Sequence, residues 1–204
     1  MSSTPIADHA FLSDRHSSAL VTTSGSVDWL AFPRFDSPTV LGRLLGDEAG
    51  HWQVSPTDRW SSRRRYLDHT LVLETTFDTA GGTFVLTDAM ALGPGNDGHQ
   101  LGRDVPHVLV RRLACTSGEV EVAIDYQPRP EYGLIVPLLH HVDGGVTARG
   151  GAEWLVLTAD GLSIDGPRAH GRRRLRAGEG HVPCTATFDA GADPGTRVVA
   201  DGAR

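Results

Sequence analysis

The sequence predicts an all-β fold: a large antiparallel β-sandwich with one short helix. Three observations carry this expectation. Turn residues recur about every ten positions, the punctuation of many short strands. Between them apolar and polar residues alternate with period two, as in a strand with one dry and one wet face. One segment alone, opening at Ser37-Pro38, combines helix-start chemistry with a one-sided apolar stripe.

In chain order, residues 19–21 and 27–32 are apolar runs of strand length separated by Ser24-Gly25, which predicts a β-hairpin. Pro33 removes a ladder donor, so pairing is expected to end there. Ser37-Pro38 reads as an N-cap and first helical position. Val40, Leu41, Leu44 and Leu45 supply the stripe, and Gly46 the stop. Residues 52–54 form a short strand before Ser55-Pro56. Residues 59–65 are basic with one aromatic, Trp60, and are expected on a solvated loop or strand edge. Alternation in residues 71–77, then Gly81-Gly82, then Phe84 and Leu86 predicts a second hairpin.

Residues 93–104 are a loop by composition, and their glycines precede no helix that would cradle a phosphate. Residues 108–113 and 120–126 are expected to pair as a third hairpin about Ser117-Gly118, and Pro128 and Pro130 end its second arm. Residues 154–158, 162–164 and 172–175 suggest three more strands. The arginines of residues 172–176 fit an exposed edge, where charge deters sheet-to-sheet aggregation.

The 204 residues fit one domain, large enough to bury about 70% of its unfolded surface. The net charge of −6 argues against nucleic acid or an anionic membrane as partner. Every basic residue other than histidine is arginine. No window approaches the length of an apolar membrane span, and the first residues lack a basic start followed by an apolar run, so the expected location is cytoplasmic. Cys115 and Cys184 are then expected to be reduced.

Arg34-Phe35-Asp36 stands between a strand end and a helix start, bounded by Pro33 and Pro38. Two readings stay open. In one it is a rigid corner whose charges satisfy each other or the local backbone. In the other it is a loop held stiff to meet something outside the domain.

The stretch Gly25-Ser26-Val27-Asp28-Trp29-Leu30-Ala31-Phe32-Pro33-Arg34-Phe35-Asp36-Ser37-Pro38 resembles the N-terminal motif of the bacterial glucoamylase and trehalase-like proteins of glycoside hydrolase family 15. Further matches follow in order: Tyr66-Leu67, Val72-Leu73-Glu74-Thr75-Thr76-Phe77, Leu86-Thr87-Asp88-Ala89-Met90, Val110-Arg111-Arg112 and Gln127-Pro128-Arg129-Pro130-Glu131-Tyr132-Gly133. The resemblance implies a trehalase-like N-terminal β-sandwich domain, here residues 1–178, that precedes a helical (α/α) barrel. It implies a divergent or truncated tail over residues 179–204, in which Thr185 and Thr187 are expected at most on a poor edge strand.

By the same resemblance the two catalytic glutamates lie on the barrel, one acid and one base about 6.5–9.5 Å apart. This chain has pattern for about one helix. The barrel is therefore absent, this chain holds no catalytic residue, and the barrel is the expected partner, in the same or a separate polypeptide. Asp28, Asp36, Asp88 and Glu131 are expected in structural roles at strand ends and turns. His140-His141 are strand neighbours that point to opposite faces and do not chelate one metal. No metal or cofactor is expected. Trp29, Arg34 and Asp36 are the candidate residues, at an interdomain contact or the rim of a sugar pocket. The alternatives are a free-standing carbohydrate-binding module with Trp52, Trp60 or Trp154 as stacking platforms, and one part of a split enzyme.

Overall fold

The computed structural model describes residues 4–93, 102–150 and 153–189. Their strands are β1 (His9–Ser13), β2 (Ser18–Thr22), β3 (Ser26–Ala31), β4 (Thr39–Leu41), β5 (His51–Pro56), β6 (Trp60–Tyr66), β7 (Leu73–Thr79), β8 (Gly82–Met90), β9 (Val108–Gln127), β10 (Leu138–Val142), β11 (Gly145–Gly150), β12 (Glu153–Thr158), β13 (Ser163–Asp165), β14 (Arg168–Arg176) and β15 (Val182–Asp189). The fold is all-β, and neighbouring strands pair antiparallel. One layer runs β1-β2-β3-β5-β9-β14-β13, with β4 also on β3. The other runs β6-β7-β8-β9-β15-β12-β11-β10.

Strand β9 belongs to both layers, which the expected hairpin over residues 108–126 did not allow for. It runs unbroken for 20 residues. Its first half pairs with β8 and β15, and its second half with β5 and β14. A bulge opposite Thr83 and Phe84 inserts one extra residue, and Gly118 follows in the left-handed region at φ 65°. The extra residue changes the parity of the buried face: Leu109, Arg111, Leu113 and Cys115 point to the core before it, Val120, Val122, Ile124 and Tyr126 after it. Ser117-Gly118 is therefore turn chemistry used to pass a strand from one sheet to the other.

Two further expectations change. The short helix after Ser37-Pro38 is reduced to one 3-10 turn, Arg43–Leu45, because Thr39 and Leu41 pair with β3 and Thr39, Val40 and Leu41 are all buried. Two β-branched residues beside an open strand make the sheet the better partner. The tail forms β15, an interior strand between β9 and β12 rather than an edge strand. The hairpins on either side of Gly25 and Gly81-Gly82, and edge strand β6, lie where the sequence places them. Of the expected loop 93–104, residues 94–101 lie outside the described residues.

The layers meet over a continuous apolar core that includes Trp52, Phe77, Phe84, Leu86, Leu109 and Tyr126. Gly25 has no room for a side chain. A Cβ there would lie 2.3 Å from the Val54 carbonyl oxygen and 3.2 Å from the Phe77 ring. Arg111 and Asp88, both fully buried, bridge the layers inside this core. Arg111 Nε donates to Asp88 Oδ1 at 2.9 Å, while Nη1 and Nη2 donate to the Trp52 and Gly25 carbonyls at 2.7 Å each. The guanidinium also sits 5.0 Å from the centre of the Trp52 ring.

Candidate functional site

The corner after β3 is built from its neighbours inward. Asp14, buried in the β1–β2 loop, accepts hydrogen bonds at Oδ1 from the backbone N–H groups of His16 (2.9 Å) and Ser17 (2.6 Å). Ser17 Oγ donates to the Ala31 carbonyl, and Phe35 N–H donates to the His16 carbonyl at 2.7 Å. The corner closes on itself, with Ser37 N–H on the Arg34 carbonyl and Arg34 N–H on Ser37 Oγ, both at 3.1 Å. Asp14-Arg15-His16-Ser17, a polar tetrad between two apolar runs, carried a readable Asx-turn signal that the sequence reading passed over.

At the tip Arg34 Nε donates to Asp36 Oδ1 at 2.8 Å, with the two side chains 70% and 74% exposed. The hydrogen bond and charge of Asp36 raise the Arg34 pKa. The hydrogen bond from Arg34, with one from the Asp36 backbone, holds the Asp36 carboxyl below its usual range. Phe35 between them is 55% exposed. Trp29 occupies a different neighbourhood. It is half-buried on β3, in register with Leu20 of β2, which is itself opposite the exposed Phe11 of β1.

Asp28, Asp88 and Asp125 are engaged by donors. Asp28 sits mid-strand, takes the Ser26 hydroxyl and faces His9 Nε2 at 3.5 Å. Asp88 is likewise mid-strand, paired with Arg111, so both are structural without being at a strand end or turn. Burial pushes the Asp125 carboxyl up, but hydrogen bonds from His51 and Arg168 outweigh it and hold that carboxyl well below its usual range. Glu131 lies in a left-handed turn at φ 55°. A shallow groove on the outer face of β6, β7 and β8 is lined by Arg63, Arg65, Glu74 and Thr76, and both arginines are ion-paired, with Asp78 and Glu74.

Cys115 and Cys184 are unpaired and buried; burial pushes the Cys184 thiol up to about 11, against the nearby Arg111 and Arg173. Among the described residues no cluster of three His, Cys, Asp or Glu side chains is arranged to hold a metal. None of their helices is long and apolar enough to cross a membrane. Trp52 is core, not a stacking platform. Trp60 stands edge-on to Phe77 at 5.1 Å, and Trp154 lies beneath the Arg149 guanidinium at 4.8 Å.

Comparison with known proteins matches residues 1–177 to the family described as trehalase-like, N-terminal. A trehalase of Mycobacterium tuberculosis is 34% identical over 194 residues, which cover 86% of this chain and 28% of that protein. A trehalase of Mycolicibacterium smegmatis is also 34% identical, over 86% of this chain and 29% of its own length. Trehalase 1 of Sulfolobus acidocaldarius is 33% identical over 137 residues, covering 67% of this chain and 22% of that protein. The chain thus spans less than a third of the length of these curated relatives.

Proposed function

This chain belongs to the trehalase-like N-terminal family, and from that premise we propose that it is the non-catalytic N-terminal module of a family 15 α-glycosidase. Its job is to support a catalytic part that hydrolyses an α-linked glucoside, with trehalose the first substrate to test because the relatives carry that name. The observation that carries the reading is the match to a family described as N-terminal together with the share of the mycobacterial trehalases that the chain spans, 28% and 29%. An inverting glycosidase needs one carboxyl kept protonated as general acid beside a second that serves as base. Asp36 and Asp125, each beside an arginine, are held below the usual carboxyl range, the opposite of what a general acid requires.

On this reading the module ends near residue 178 as a family unit, and β15 completes its sheet. Trp29, Arg34 and Asp36 serve at the boundary with the catalytic part, the corner being held rigid from beneath by Asp14, His16 and Ser17. Alone, the chain leaves trehalose and maltose intact. The test is glucose release by the purified polypeptide. No release is expected. Turnover that disappears when one of the chain's own carboxylates is changed to its amide would overturn the proposal.

A further inference from the structure

Residues 132–142 contain no Asp, Glu, Lys or Arg. They lead from β9 into β10 across the surface, and their exposure alternates. Tyr132, Leu134, Val136 and Leu138 are 46%, 84%, 62% and 69% exposed. Ile135 is half-buried, and Pro137 and Leu139 are buried between them. Ile135 is seated on Gly150, where a Cβ would lie 2.7 Å from its Cγ2 atom. A run apolar on both sides is the pattern of a segment covered on both sides. The described residues cover one of them.

The backbone holds the ridge out. Glu131, Tyr132 and Gly133 take φ of 55°, 58° and 93° in succession, a left-handed turn that is unfavourable for the first two. It is pinned by Tyr132 N–H on the Thr39 carbonyl (3.4 Å), Gly133 N–H on Arg129 (3.1 Å) and Ile135 N–H on Pro130 (3.1 Å). Ala49 packs where a Cβ on Gly133 would lie, at 2.8 Å. Thr39 follows the Arg34–Asp36 corner after Ser37 and Pro38, and the loop that carries Ala49 also carries Leu45, 58% exposed. β4 thus leads in chain order from the corner to the turn that carries Leu45, and the turn at the base of the ridge is hydrogen-bonded to its first residue. A rigid apolar ridge without charge has the composition of an interface core.

Resting on the N-terminal-module reading, we infer that residues 132–138 are the docking ridge for the part of a trehalase polypeptide that this chain does not span. The matched share of the two mycobacterial relatives is 28% and 29%. More than two thirds of such a protein lies outside the matched part, and that part is the occupant to which the ridge is assigned. A permanent neighbour of that size calls for an uncharged, pre-shaped contact, whereas a polyanion would call for a basic one.

The test titrates this chain against the remainder of one matched trehalase, produced as a separate polypeptide and first verified to melt cooperatively, with calorimetry as the readout. Binding is expected, weakened at least about tenfold by the combined Leu134→Ser, Val136→Ser and Leu138→Ser changes. Leu92→Ser, at another exposed apolar position, should leave it unchanged. The ridge variant should keep the parent's circular dichroism and melting temperature. If it does not fold, Leu134→Ser alone, at the most exposed position, makes the same comparison. Equal binding by parent and ridge variant would overturn the ridge and leave the module reading standing. No binding by the parent would overturn the reading itself. A dimer of the parent in sedimentation that the ridge changes dissolve, without binding to the trehalase part, would give the ridge to a second copy and overturn the inference.

Discussion

Two arginine–aspartate pairs in this protein have almost the same contact, 2.9 Å in Arg111–Asp88 and 2.8 Å in Arg34–Asp36. One is sealed between the layers, and the other stands at the tip of a corner in water. The buried guanidinium spends its donors on Asp88 and on two carbonyls of the opposite layer, so its loss strands a charge and two acceptors where water cannot replace them. The exposed pair is screened, and its effect is the shape it gives the corner around Phe35. The surroundings, not the contact distance, decide which pair holds the fold and which is free to serve a neighbour. A third pair, Arg168–Asp125, lies between them, with side chains 47% and 23% exposed.

The largest effect expected is at the buried pair. Arg111→Met should cost about 3–5 kcal/mol in urea unfolding, because Asp88 is left buried and unpaired. Adding Asp88→Leu should recover much of that loss. A loss for Arg111→Met no larger than that of a surface change would break the comparison.

The intermediate pair predicts a pH dependence. The folded state holds Asp125 below its usual pKa, so as pH falls the unfolded chain takes up that proton first. The stability it contributes is therefore full above about pH 4, the ordinary carboxyl range, and is lost as pH drops towards the folded pKa. Asp125→Asn should lower stability at neutral pH and flatten its decline in acid. A decline in the variant as steep as in the parent would remove Asp125 as a cause.

The smallest effect is at the exposed pair. Arg34→Ala should leave the melting temperature of this chain unchanged. The same change in a polypeptide that also carries the catalytic part should lower trehalose hydrolysis or the stability of the assembled protein. Unchanged kinetics and melting there would take Arg34 out of the boundary.

Much of the fold was legible because alternation and turn residues are local signals. The hairpin through Gly25 needed only two apolar runs and a glycine that tolerates φ 77°. What was not legible depended on partners far along the chain. Thr39–Leu41 looked helical until β3 claimed it, and Ser117-Gly118 looked like a hairpin until β5 and β14 prolonged the strand. Arg111 stood in a motif, but nothing local marks an arginine as the bridge of a core. The corner was visible from its two prolines. The Asp14 turn is readable locally, but its place beneath the corner, like that of the ridge beside β4, comes from hydrogen bonds to distant segments.

Shared strand β9 also sets an order of events during synthesis. Residues 168–189 supply the partners along one flank of that strand, at 108–113 and 119–126, and they are translated long after the segments that cover its other flank. Until they leave the ribosome, the amides and carbonyls that this long strand turns towards that flank stay open to any extended chain nearby. A nascent chain halted before β14 should therefore call for a chaperone, while one released after β15 should not.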